Sequence, residues 1–176
     1  MKKHWKILEI KSPDPKAKLA AGSLAREKDI IKPYIIRKSS KRIEILVSYQ
    51  KYQRAVKTLE KSGLEVVARD PLSHEDCRGK DFVKELVEEE RFYEAHICSE
   101  ALERESRQIG ECLALYTALL VKISENSRVG VADLHRKLQA KNCKTLLDYD
   151  CIRNLIRNYF NSGLLHGAKA RGCIKI

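Results

Sequence analysis

The sequence predicts an α+β protein, and three observations predict it. Before residue 72, short β-branched or aromatic runs alternate with helical stretches in the order β-α-β-β-α-β. From Asp81 onward, apolar residues recur three, four and seven apart, the helical period. Between the two patterns lies a polar connector, PLSHEDCRGK, at residues 71–80. The domains expected are therefore 1–72, an acidic helical linker region at 73–107, and a C-terminal domain at 108–176.

Trp5 to Ile10 reads as the first strand. Asp14-Pro15 then opens a helix, the acid as cap and the proline in the first turn, where its missing N–H costs nothing. Leu19, Ala20, Ser23 and Leu24 are its expected buried stripe, and Pro33 its stop. Tyr34–Arg37 and Arg42–Val47 read as two strands joined by a short turn. A helix beginning at Ser48 or Tyr49 places Tyr52, Ala55, Val56 and Leu59 on one face and ends at Gly63. Leu64 to Ala68 is the fourth strand.

That order is the split βαβ arrangement called ferredoxin-like. The topology hosts many functions and names none. Its RNA-recognition version stacks bases on strand aromatics. The inner strand here, Lys41 to Val47, carries no aromatic residue, so that version is rejected. Arg42–Val67 loosely resembles amino-acid-sensing regulatory domains, but the acidic-Pro-Gly loop of that family is missing.

In the middle region, Phe82, Leu86, Tyr93 and Ile97 fall near helical spacing, and Glu88-Glu89-Glu90 reads as a solvated acidic face. Gln108 to Glu125 reads as a long, nearly all-round apolar helix that must be buried, in the chain's own core or in an isologous dimer. Val131 to Ala140 is a shorter helix, with Val131, Leu134 and Leu138 inward. Asp148 is placed to cap the next helix and Gly163 to stop it. Within that helix Ile152, Leu155, Ile156, Tyr159 and Phe160 form one stripe, and Tyr149, Arg153, Asn154, Arg157 and Asn158 lie opposite. Leu164-Leu165 and Cys173–Ile176 are expected as two short strands around a basic, glycine-bounded loop.

Helix, turn, helix and hairpin resemble the winged helix-turn-helix family over about the last 65 residues. The resemblance implies a second helix in the DNA major groove and a hairpin wing on the backbone. Carried over by position, the nucleic-acid-binding residues are Lys144, Tyr149, Arg153, Asn154 and Arg157, with Lys169 and Arg171 on the wing. Asp148 and Asp150 depart from a wholly basic reading helix. A weaker resemblance covers residues 92–100. Phe92-Tyr93-Glu94-Ala95-His96, then Glu100, is similar to an E-A-H signature in a small helical family of unknown function. His96 and Glu100 share a helix face, as a proton-transfer pair or a pair of metal ligands would.

Charge is unevenly spread. Residues 71–106 hold 5 Lys/Arg against 11 Asp/Glu, and residues 107–176 hold 12 against 5, within a chain of net charge +11. Basic segments attract polyanions. The partner expected is DNA, with RNA as the alternative, and a protein partner or homodimer besides. No membrane span, cofactor or metal is expected, and the compartment expected is the cytoplasm. No phosphate loop, nucleotide fingerprint or nucleophile elbow occurs, so a nucleic-acid-binding regulator or machine subunit is preferred over an enzyme. A protein-assembly subunit is the second reading, and a small metal-dependent or hydrolase-like enzyme centred on His96 and Glu100 the third. The six cysteines contain no C-x-x-C, and most are expected reduced and buried. A zinc site from Cys143, Cys151, His166 and Cys173 would match no common ligand spacing.

Overall fold

A computed structural model describes residues 5–11, 15–26 and 35–176. Asp14 as helix cap, Pro33 as helix stop and Tyr34 as strand start lie outside them. The protein is mixed α+β, with eight helices and a four-stranded antiparallel sheet among the described residues. It divides into two compact units, Met1–Pro71 and Leu72–Ile176.

The first unit contains β1 (Trp5–Ile10), α1 (Pro15–Arg26), β2 (Ile35–Lys38), β3 (Ile43–Ser48), α2 (Tyr52–Lys61) and β4 (Val66–Arg69). The sheet order is β2-β3-β1-β4. Strand alternation sends Leu8, Ile10, Ile43, Ile45 and Val47 to one face. There they meet Ala17, Ala21 and Leu24 of α1 and Ala55 and Leu59 of α2. Of the stripe expected on α1, Leu24 is buried and Ala20 partly so, whereas Leu19 is 70% exposed and Ser23 is exposed. Small Ala17 and Ala21 let the helix lie close to the sheet instead. The opposite sheet face is charged. Glu9 and Glu44 sit directly across from each other, a repulsive pairing by itself. Arg42 reaches Glu9 at 2.9 Å, and Arg69 bridges Glu9 at 3.3 Å and Glu44 at 2.9 Å.

The second unit begins with a short 3-10 turn at His74–Asp76. It continues through α3 (Lys80–Glu88), α4 (Phe92–Leu102), α5 (Arg107–Ser124), α6 (Arg128–Ala140), α7 (Tyr149–Ser162) and α8 (Gly167–Gly172). Residues 73–107 do not stand apart as a linker. Val83, Leu86, Phe92, Ala95 and Cys98 share one apolar core with Leu113, Tyr116, Leu120, Ile152 and Leu155. The greasy surface of α5 is largely buried in that core, within the chain itself. The acidic run is also not wholly solvated. Glu90 breaks α3 from α4 with φ 64°, is 2% exposed, and accepts a hydrogen bond from the Gly167 N–H at 2.9 Å.

Tyr116 lies at the centre. Its hydroxyl donates to the Ala170 carbonyl at 2.6 Å, fastening α8 to α5, and burial pushes its pKa far upward. Tyr116→Phe removes this bond and leaves the carbonyl only the Cys173 N–H, at 3.2 Å. We expect a loss of about 0.5–1.5 kcal/mol in urea unfolding with unchanged helix content. A variant as stable as the parent would show that the bond contributes nothing.

The six cysteines are all paired: Cys77–Cys98, Cys112–Cys143 and Cys151–Cys173. The expectation of reduced thiols is thus corrected. The thiolates of the zinc alternative are consumed in two of these bonds.

Candidate nucleic-acid interface

Helix α7 is defined at both ends by local chemistry. The Asp148 carboxylate accepts the N–H groups of Asp150 and Cys151, each at 3.0 Å. Those backbone bonds, that of Cys151 first, hold its carboxyl below the usual range. Gly163 closes the helix at φ 71°, a left-handed conformation that glycine takes without strain. Ile152, Leu155 and Tyr159 are buried, which turns Arg153, Asn154, Arg157 and Asn158 outward, all four exposed. Arg153 pairs with Asp150 one turn earlier. Exposed pairs of this kind contribute little, so the guanidinium can exchange partners readily. At the far end Arg128 lies 5.2 Å from the Phe160 ring centre.

Tyr149 does something different from its neighbours. Its hydroxyl sits 2.7 Å from the Leu138 carbonyl and 2.8 Å from that of Lys141, and accepts the Cys143 N–H at 3.2 Å. It therefore ties the end of α6 to the turn before α7. Its ring lines an open hollow of about 520 Å³ together with Lys144, Arg153 and Lys175, and with Asp148 and Asp150. Lys144 is exposed, and its carbonyl accepts from the Lys175 ammonium at 3.1 Å. The strand expected over Cys173–Ile176 hides Lys175 from a reading of the sequence.

The expected hairpin is overturned. Residues 167–172 form α8, and the terminal segment pairs with the turn before α7 rather than with Leu164-Leu165. Asp148 N–H donates to the Cys173 carbonyl, and Lys175 N–H to that of Leu146, both at 2.9 Å. The physical reason is twofold. Ala168-Lys169-Ala170-Arg171 is a run of strong helix formers. Gly167 and Ala170 are buried, where a bulkier strand could not enter: a Cβ on Gly167 would lie 2.3 Å from the Glu88 carbonyl oxygen. Lys169 is exposed on this helix, and Arg171 is half-buried with a guanidinium N–H 3.5 Å from the Ile174 carbonyl. Neither sits on a hairpin tip.

His96 and Glu100 are adjacent, with Nε2 3.4 Å from the carboxylate. The other ring nitrogen lies 3.1 Å from the Ala114 carbonyl and 3.4 Å from the Thr117 hydroxyl, which ties α4 to α5. Glu94 is 1% exposed and accepts from Arg91 at 2.7 Å and from the Leu72 N–H at 3.1 Å. Both E-A-H side chains thus serve as packing ties. Among the described residues no helix is long and apolar enough to cross a membrane, and no group of three or more His, Cys, Asp or Glu could hold a metal ion.

The chain matches no protein-family model, no curated protein and no solved structure.

Proposed function

We propose that this protein binds nucleic acid through the exposed side of α7, as a DNA-binding regulator or a subunit of a nucleic-acid machine. The observation that carries the reading is the placement of Arg153, Asn154 and Arg157 together on the solvent side of one firmly capped helix. Lys144 and Lys175 border the hollow beside its first turn. A helix is about 10–12 Å across with its side chains, which matches the roughly 12 Å width of a DNA major groove, and the 14 residues of α7 make it roughly 21 Å long. The succession α5-α6-α7 supports the helix-turn-helix part of the winged-helix resemblance, with α8 standing where the wing would be. In the first unit, the β2-β3-β1-β4 order with both helices on one face supports the ferredoxin-like reading. Duplex DNA is the partner proposed, with RNA an outcome of the test. The cytoplasm is the compartment proposed, although three disulfides are rare there outside hyperthermophiles.

The test is Arg153→Ala with Arg157→Ala. Affinity for a mixed-sequence duplex should fall about 10- to 100-fold at moderate salt. The slope of log affinity against log salt should flatten by about 2, one unit for each lost phosphate contact. A double variant that binds duplex DNA and structured RNA as tightly as the parent, with its helix content intact, would remove α7 as the binding face.

A further inference from the structure

Tyr49 follows β3 and is 53% exposed, an unusual position for a large ring in a unit that has an apolar core to offer. Tyr52 stands one helical turn away, partly packed against that core. The two ring centres are 5.5 Å apart and the planes tilted by 46°. The Lys6 ammonium lies 5.4 Å from both centres. Asp70 fixes that ammonium with a 3.0 Å ion pair, and its hydrogen bond raises the lysine's pKa. Lys6 therefore remains a cation tucked between the rings, and the pair is held in place without closing its outer surface. Gln50, next in the chain, and Gln53 and Arg54 in the first turn of α2 are exposed. Register puts Lys6 opposite Val47, which shares the helix-bearing face of the sheet with Ile43 and Ile45. The cluster thus sits at the end of the sheet on its helix-bearing side, away from the charged face of Glu9 and Glu44.

We infer that Tyr49 and Tyr52 form a stacking platform for an unpaired base of single-stranded nucleic acid, with the Lys6 cation against the rings and the basic excess of residues 1–70, 18 Lys/Arg against 8 Asp/Glu, attracting its phosphates. Every base offers a π-face, so such a platform is tolerant of sequence, and a fixed cation beneath the rings strengthens the stack. The chemistry is common to DNA and RNA. It involves residues of the first unit alone and does not depend on α7.

The full chain is titrated with oligo-dT and oligo-U, and irradiated with 5-iodouracil versions of both, since that base cross-links to a stacked aromatic ring. The parent is expected to cross-link within the peptide carrying Tyr49 and Tyr52. Tyr49→Ala should weaken single-strand binding about 5- to 100-fold, and Tyr49→Phe, which keeps the ring, should restore it. Preference for dT or U assigns the sugar. The Arg153/Arg157 double variant should keep the Tyr49 cross-link while losing duplex binding. Cross-links confined to residues 107–176, or Tyr49→Ala binding single strands as the parent does, would overturn the platform. The α7 reading would then stand or fall on the duplex titration alone.

Discussion

Reduced with a dithiol, the second unit should lose tens of degrees of thermal stability while the first keeps its own. All six cysteines fall within residues 72–176, and the pairs close loops with sequence separations of 21, 31 and 22. The loops follow one another without overlap, so their effects on the unfolded chain add. Each bond removes about 3–4 kcal/mol of unfolded-chain entropy by the loop-closure model, or about 10 kcal/mol together. A domain's whole stability is about 5–15 kcal/mol. The expected fall in Tm is therefore roughly 40 °C. Two signals separate the units. The chain's single tryptophan, Trp5, lies in β1 and reports the first unit. Far-ultraviolet circular dichroism is dominated by the helices of the second. After thiol counting confirms six free sulfhydryls, the dichroism transition should drop and the tryptophan transition should hold. An unchanged dichroism transition would mean that packing alone specifies the helical unit.

The parts of the fold that the sequence displays are those ruled by local chemistry. Asp148 caps α7 because a short carboxylate reaches the free N–H groups of the next turn, a rule that needs no tertiary context. Gly163 ends it for an equally local reason. The strand and helix order of residues 5–69 follows from periodicity. What the sequence hides is decided by distant partners. Six cysteines admit 15 pairings, and spacing does not choose among them. The last four residues look like a strand because Cys173, Ile174 and Ile176 are apolar or β-branched. The preceding glycine-rich loop becomes a helix because Glu90 and Tyr116, 77 and 54 residues away, supply its hydrogen-bond partners. Leu19 misled because leucine is apolar, whereas the close approach of α1 to the sheet selects alanine.

The candidate interface divides in the same way. The outward side of α7 is the complement of its apolar stripe, so Arg153, Asn154 and Arg157 can be placed from sequence. Tyr149 shares that side by spacing, yet its hydroxyl is drawn to the carbonyls of Leu138 and Lys141. Only coordinates bring Lys175 beside Lys144.

Gly110→Ala should destabilise the protein, although the same change in most helices stabilises it. Gly110 lies in the first turns of α5, where alanine would ordinarily gain about 1 kcal/mol by restricting the unfolded chain. Here an added Cβ would meet the Glu103 backbone nitrogen at 2.3 Å, its Cα at 2.5 Å and the Leu102 carbonyl carbon at 2.7 Å. Those are main-chain atoms, so no side chain can rotate aside. The next residues on the same side of α5 are Ala114 and Thr117, and across from them on α4 stands Ser99. The Thr117 hydroxyl lies 3.3 Å from that of Ser99. Small residues at this spacing bring the two helices together, and the gap cannot widen without pulling apart the His96 and Ser99 contacts. Overpacking against backbone should cost about 3 kcal/mol or more, leaving a net loss of about 2 kcal/mol. Gly22→Ala in α1 provides the opposite sign: nothing lies within 4 Å of its Cβ position, so a gain of about 0.5–1 kcal/mol is expected. Urea unfolding of both variants, with dichroism reporting the second unit and Trp5 fluorescence the first, decides the matter. A Gly110→Ala protein as stable as the parent would mean that α4 and α5 are not in backbone contact at this turn.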